Sequence, residues 1–338
     1  PASRRPTLPA ICGDLSSALA LESTSTFKMR SGCEGPQGVA VPVPVRTARG
    51  TGGWAAQGGS RIRGRNDFMP TVIEQQVLTG ERALFKGCDL DIRYSTFADG
   101  ESPLKESRGV KLYRSSFKWK YPLWYSENAE LVECTLFEMA RSGIWYTRNI
   151  SMTGCTIEAP KTFRRSSGIA LADVAMPNAG ETLWTCSDVR LNNVTAKGDY
   201  FGMNSSNIVV DGFNLVGNYS FDGGRDIEVR NARMLSKDAF WNCENVTVRD
   251  SFIYGEYLGW NSKNVTFENC VIESLQGMCY MEGVTLKNCT VLNTNLAFEY
   301  STVEAEILSP VDSVLNPRGG TIGAPAIGEV TFDDPAVD

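Results

Sequence analysis

From about residue 70 the chain alternates apolar and polar residues in short bursts, and the bursts recur. Each opens on Asn, Gly or Asp, followed by an aliphatic residue and a few alternations. Examples are Asn149-Ile150-Ser151-Met152, Asn207-Ile208-Val209-Val210, Asn245-Val246-Thr247-Val248, Asn264-Val265-Thr266-Phe267 and Gly283-Val284-Thr285-Leu286. The first aliphatic falls at Leu90, Val110, Ala129, Ile150, Ile169, Val189, Ile208, Ile227, Val246, Val265, Val284 and Val303. The steps are 20, 19, 21, 19, 20 and then 19 throughout. Period 2 within a burst predicts a strand, because successive side chains of an extended chain leave opposite faces. Five residues after the anchor stands a small or apolar residue, such as Ser95, Cys134, Cys155, Cys270 or Cys289. Two further on stands an apolar one, such as Phe97, Phe117, Leu136 or Ile157.

A 19–21-residue unit is too short for helical repeats, which need about 33 residues, and the LxxLxLxxN grammar of leucine-rich repeats is missing. Two or three short strands per unit fit one coil of a parallel β-helix, with coils stacked at about the 4.8 Å strand spacing. The expected fold is all-β: a single-stranded parallel β-helix, a solenoid of about twelve coils over residues 69–338. Its opening strand lies near 71–78, and a loop-rich tail from Ser309 caps the far end. The column before each anchor includes Asn128, Asn149, Gly168, Asp188, Asn207, Asp226, Asn245, Asn264 and Gly283. These residue types tolerate a left-handed corner, and their side chains can stack into an amide ladder. The Asn-x-Ser/Thr triplets at Asn149, Asn245 and Asn264 are read as repeat grammar rather than glycosylation sites.

Residues 1–68 are of another kind. They hold nine Lys/Arg, four Asp/Glu, ten Gly and six Pro, with no sustained period. Such a composition buries too little surface to offset its ordering entropy, so this leader is expected to be disordered or loosely attached. It reads either as an upstream extension before Met69 or as a basic targeting peptide; the first is preferred. Without a secretory h-region the expected compartment is the cytoplasm, with reduced, buried thiols. No apolar run approaches the roughly 18 residues of a membrane span. Against this leader, residues 69–338 carry 24 basic and 35 acidic groups. An acidic body disfavours nucleic acid, so neither nucleic acid nor membrane is expected as a partner.

The chain has no histidine. That excludes Ser-His-Asp triads, Cys-His pairs, zinc helices of the HExxH type and histidine bases. No CxxC pair is present either, so neither metal nor cofactor is expected. Acid–base chemistry is left to Asp, Glu, Lys, Arg, Tyr and Cys.

Five of the seven tryptophans fall in one column, five residues before the anchor: Trp124, Trp145, Trp184, Trp241 and Trp260, with Arg164 between. The preceding column is apolar (Leu104, Leu123, Ile144, Phe163, Leu183, Phe221, Phe240), so strand alternation turns the Trp column outward. Tyr200, Tyr219, Tyr257, Asn242 and Asn261 lie beside it. Flat rings and polar groups in a row suit a poly- or oligosaccharide, and these residues are the candidate substrate-binding set. The same row also suits a subunit interface, which makes a homo-oligomer the competing expectation. Asp199, Asp222, Asp238 and Glu256 occupy consecutive coils. Neighbouring coils place carboxylates about 4.8 Å apart and alternate coils about 9.6 Å, bracketing the separations glycosidases use. They are the candidate catalytic acids, with Lys237 as a candidate base or carboxylate binder.

The segments SPLKES (102–107), FKWKYPLWYS (117–126), FEMARSGIWYT (137–147), GDYFGMNS (198–205), YSFDG (219–223), KDAFWN (237–242) and GEYLGWNS (255–262) carry a resemblance. The body resembles the right-handed parallel β-helix folds of the pectate-lyase-like superfamily. More closely, it is similar to a mainly bacterial β-helix family known only as a domain of unknown function. The resemblance covers residues 70–335 and implies the fold and its right hand. The superfamily's catalytic sets find little here. The Gly-His-Gly segment of polygalacturonases needs a histidine. The pectate-lyase WxDH-like segment is missing, although Arg141, Arg164 and Arg165 lie near the aromatic row. The two-Asp, one-Arg set of pectin methylesterases has no local motif in support. The expected function is therefore a carbohydrate-binding or carbohydrate-processing protein, the latter a lyase or glycoside hydrolase working without histidine. The alternative is a non-catalytic scaffold that uses the Trp row as a subunit interface.

Overall fold

Main-chain pairing joins each burst to the next in parallel, one repeat at a time. In the computed structural model, which describes residues 69–334, Ala129 pairs with Ile150, Ile150 with Ile169, and Ile169 with Val189. The same register runs from Val189 through Ile208, Ile227, Val246, Val265 and Val284 to Val303. The result is a parallel β-solenoid of about fourteen turns. Each rung has a main strand, such as Glu127–Val132, then a second strand, such as Thr135–Leu136. In the middle of the stack the two fuse into strands of ten or eleven residues, such as Ser167–Met176 and Ser206–Val216.

The rung count exceeds the twelve expected because both ends pair. Thr71–Glu74 pairs with Leu90–Arg93. The tail is strand-bearing rather than loop-rich: Gly319–Gly323 pairs with Thr302–Ile307, and Val311–Leu315 with Ile327–Thr331. Its grammar was hidden because Val303 pairs with Gly320, only 17 residues on and without an aliphatic anchor. The reading of residues 1–68 lies outside the described residues.

The corner column behaves as its chemistry demands. Asn128, Asn149, Asp188, Asn207, Asp226, Asn245 and Asn264 all have φ between 52° and 57°. Their side chains form a ladder: Asn245 Nδ2 donates to Asp226 Oδ1 at 2.9 Å, and Asn264 Nδ2 to Asn245 Oδ1 at 2.8 Å. Inside, like stacks on like. Phe97 and Phe117 lie parallel at 4.7 Å, and Phe221 and Phe240 at 5.6 Å. Cys134, Cys155, Cys270 and Cys289 are buried free thiols in this core.

The third side of each rung, which carries the Trp column, is not a strand. Leu104, Leu123, Ile144, Phe163, Leu183, Phe221 and Phe240 point into the core with φ between 56° and 62°. Two residues on, Tyr125, Tyr146, Arg165 and Thr185 are again left-handed. Alternate left-handed residues keep the in–out alternation while tightening the path, so the Trp column faces out by a route other than strand pleating. This path leaves main-chain groups without regular ladder partners. A column of buried hydroxyls repairs it: Thr147, Ser166, Ser205, Ser262 and Ser301 donate to carbonyls of the preceding rung, as Ser166 Oγ does to Ile144 O at 2.8 Å. The four serine oxygens also accept main-chain N–H groups, as Ser166 Oγ does from Thr147 at 3.0 Å. Buried backbone groups need such partners. The sequence signal of this hydroxyl column is a Ser or Thr three residues before the anchor, or two in the case of Ser301.

Candidate functional site

The outward rings of the third side meet one another. Trp124 and Trp145 stack at 5.1 Å and 9°. The Arg164 guanidinium then lies 4.7 Å from Trp145 and 4.4 Å from Trp184. Trp184 meets Tyr200 edge-on at 6.3 Å, and Tyr200 stacks on Tyr219 at 4.9 Å. The column continues through Trp241, Trp260, Tyr280 and Tyr300, with steps of 5.7, 6.0, 4.7 and 5.2 Å. A seam of rings and one guanidinium thus runs from Trp124 to Tyr300. The rung spacing of about 4.8 Å is close to a ring-stacking distance, so neighbouring rungs bring faces together.

This geometry revises the platform expectation. The tryptophans expected to offer flat faces to sugars turn those faces along the solenoid axis, against the next rung, and present edges to solvent. Their indole N–H groups are also engaged. Trp124 donates to Ser142 O, Trp145 to Lys161 O, Trp184 to Tyr200 O and Trp241 to Tyr257 O, at 2.6–2.8 Å. All five column tryptophans are half-buried, and Tyr125, Tyr200 and Tyr280 are the more open rings.

The candidate acids divide. Asp199 Oδ1 accepts the Asn218 main-chain N–H at 2.8 Å. Asp222 Oδ1 accepts from Asn242 Nδ2, whose own Oδ1 accepts from Asn261 Nδ2, both at 2.8 Å. Asp222, Asn242 and Asn261 therefore form a second side-chain ladder. Lys237 Nζ lies 3.3 Å from Glu256 Oε2, and this pairing holds the lysine's pKa up. Glu256 is held below the usual carboxylate range, first by a hydrogen bond from the Tyr257 hydroxyl and then by Lys237. The same bond pushes the Tyr257 pKa up.

Asp238 is different. It is only 3% exposed and makes no hydrogen bond or ion pair among the described residues. Burial pushes its carboxyl pKa up, opposed by Lys237. It also raises the pKa of Tyr219, though burial of that ring contributes more. The rungs of Asp238 and Glu256 are neighbours, since Tyr257 N–H bonds Lys237 O at 2.9 Å. Tyr219, Lys237, Asp238, Glu256 and Tyr257 thus form one cluster.

Depressions of 310 and 540 Å³ lie on the strand faces instead, one around Ala170, Ala172 and Val209, the other around Asp91, Lys111 and Glu130. Neither is lined by a seam ring. Among the described residues no three metal-ligating side chains converge. No helix there is long and apolar enough to cross a membrane.

Residues 71–338 match the model of a protein family of unknown function, DUF3737. The chain belongs to this family. No curated protein matches it. Solved structures similar to the chain include three of low identity. The A-module of mannuronan C-5 epimerase AlgE4 from Azotobacter vinelandii has 9% identity and a TM-score of 0.30, covering 79% of this chain and 90% of that one. PfbA, a surface adhesin of Streptococcus pneumoniae, has 9% identity and a TM-score of 0.26, covering 78% and 75%. HetL, a pentapeptide repeat protein of Nostoc sp. strain PCC 7120, has 12% identity and a TM-score of 0.20, covering 80% and 89%.

Proposed function

We propose that this DUF3737 solenoid is a docking scaffold whose third side receives a macromolecular partner along the aromatic seam. The observation that carries this reading is the seam itself. Trp, Tyr and Arg run unbroken over about ten rungs, held rigid by mutual stacking, with edges half in solvent. These three residue types dominate binding energy at protein interfaces, and prior rigidity lowers the entropy lost on docking.

Tyrosine nitration followed by mass spectrometry tests it. Tyr125 and Tyr200 on the seam are 47% and 37% exposed, and Tyr94 and Tyr254 elsewhere are 45% and 50% exposed. In concentrated native extract the seam pair should be protected relative to the dilute purified chain, and the control pair should not. Equal labelling of all four in both conditions removes the proposal.

A second reading, a glycan-processing site, has its own support in the Asp238 cluster. One carboxyl is pushed toward its acid form and its neighbour Glu256 is kept ionised. That split is the pattern of a general acid and its partner. Neighbouring rungs at about 4.8 Å come near the roughly 5–5.5 Å of retaining glycosidases. Turnover of soluble neutral glycans, lost in both Asp238→Asn and Glu256→Gln, would favour this reading. The absence of turnover on any of them would retire it.

A further inference from the structure

The seam face is polarised along its length. In its first half the outward positions carry Lys105, Lys120, Arg141, Lys161, Arg164 and Arg165, against Glu101 and Glu106. In its second half they carry Asp199, Asp222, Glu256 and Glu299, against Lys237 and, over the last ring Tyr300, Arg318. Internal pairing does not cancel this. Lys120 pairs with Glu101, Lys161 and Arg164 with Glu181 at the boundary, and Lys237 with Glu256. Among the described residues Lys105, Arg141 and Arg165 have no carboxylate partner, and Asp199, Asp222 and Glu299 have no cation partner. One half holds spare cations and the other spare anions, on one continuous face.

We infer that the partner received by this face is a second copy of the chain, packed antiparallel. The inference rests on the docking reading and names its occupant. A two-fold axis lying in the interface, perpendicular to the solenoid and between the rungs of Trp184 and Tyr200, sets each basic half against an acidic half. Such an axis reverses the order of rungs and preserves lateral position. It therefore places the Arg165 rung opposite the Asp222 rung. The Trp184 rung comes opposite that of Tyr200, and the Arg141 rung opposite that of Lys237, whose charge Glu256 already pairs. Arg165 and Asp222 sit four and five residues before their anchors, so their lateral positions lie within one residue of each other. A parallel arrangement would oppose like charges, which costs affinity. About ten rungs at about 4.8 Å and a width of about 15 Å give on the order of 700 Å² per subunit, close to the ~800 Å² of a standard stable interface.

Analytical ultracentrifugation of the full chain at low and high salt is the first measurement. The chain should sediment as a dimer that weakens as salt is raised. Arg165→Asp and Asp222→Arg, each alone, should weaken dimerisation at least tenfold. An equimolar mixture should restore it, because the heterodimer regains one reversed contact and keeps one native contact. Circular dichroism establishes that each variant is folded. Should Asp222→Arg fail to fold, Thr185→Cys serves instead. Thr185 lies beside the proposed axis and is exposed, so a short bis-maleimide should join it to its own copy.

A dimer that neither recovers on mixing nor crosslinks through Thr185→Cys overturns the antiparallel register. A strict monomer whose seam tyrosines are nonetheless protected in extract overturns the second copy and leaves the docking face standing, with a different partner. A strict monomer with unprotected tyrosines removes both.

Discussion

The guanidinium carbon of Arg164 lies 4.4 Å from the ring centroid of Trp184 on the next rung. On its other side Trp145 lies at 4.7 Å, so the cation fills a place in the ring stack that tryptophan holds on neighbouring rungs. Its Nη2 bonds Glu181 Oε2 at 3.1 Å, while its buried Nε has no partner. Arg164→Ala should destabilise the fold by about 1–3 kcal/mol, through two lost cation–π contacts and an opened seam. Arg164→Lys should recover only part, because an ammonium cannot lie flat between two indoles. Urea unfolding decides; equal stability of the lysine variant and the native chain would show the stacking to be unimportant.

Asn245 combines a left-handed φ of 57° with two ladder hydrogen bonds. Asn245→Ala should cost about 2 kcal/mol, the sum of backbone strain and two weakened side-chain contacts. Asn245→Gly keeps the conformation and should cost about half as much, roughly 1 kcal/mol. Paired urea melts should therefore rank Gly above Ala, the reverse of their order in an ordinary strand.

Asp238 and Glu256 make opposite contributions to the pH dependence of stability. The raised folded pKa of Asp238 means that the native state holds its proton longer than the unfolded chain does. Stability therefore falls as pH rises from the unfolded value, about 3.9, through the folded one. Glu256, held low, contributes stability present at neutral pH and lost as pH falls through its folded pKa. Asp238→Asn should raise the unfolding midpoint at neutral pH and leave it nearly unchanged at low pH. Superimposable midpoint-against-pH curves for the variant and the native chain would contradict the assignment.

Phe117 is fully buried and stacked on Phe97, whereas Phe137, just past the next second strand, is 38% exposed. Phe117→Ala should cost about 3–5 kcal/mol through lost contacts and a cavity. Phe137→Ala should stay within about 0.5 kcal/mol. Similar losses in the two thermal melts would mean the inner stack carries no special share of stability.

The register of the solenoid was legible because every rung repeats the same demands. An aliphatic anchor, a left-handed corner and a small inward residue recur at 19–21 residues, and Asn, Asp and Gly mark the corner wherever side-chain chemistry is needed there. The tail was not legible, since Gly319 and Gly320 pair without an aliphatic anchor. The candidate site was legible in part. The column of Trp124, Trp145, Arg164, Trp184, Trp241 and Trp260 faces outward as expected, but nothing in the spacing told faces from edges. Asp222, Asn242 and Asn261, read as chemistry, are rungs of a ladder.

By itself the sequence determined the period, the inward columns and the corner residues, because these depend on local alternation and on which residues tolerate a left-handed backbone. Only the tertiary structure decided the third side. There bulky Leu123, Ile144, Phe163 and Phe240 hold positive φ, which residue preference alone disfavours by roughly 1–2 kcal/mol each. Core burial and stacking on the rungs above and below offset that strain. The same stacking turns the tryptophans edge-outward and leaves the unpaired charges sorted along the face, a relation between rungs that no single repeat contains.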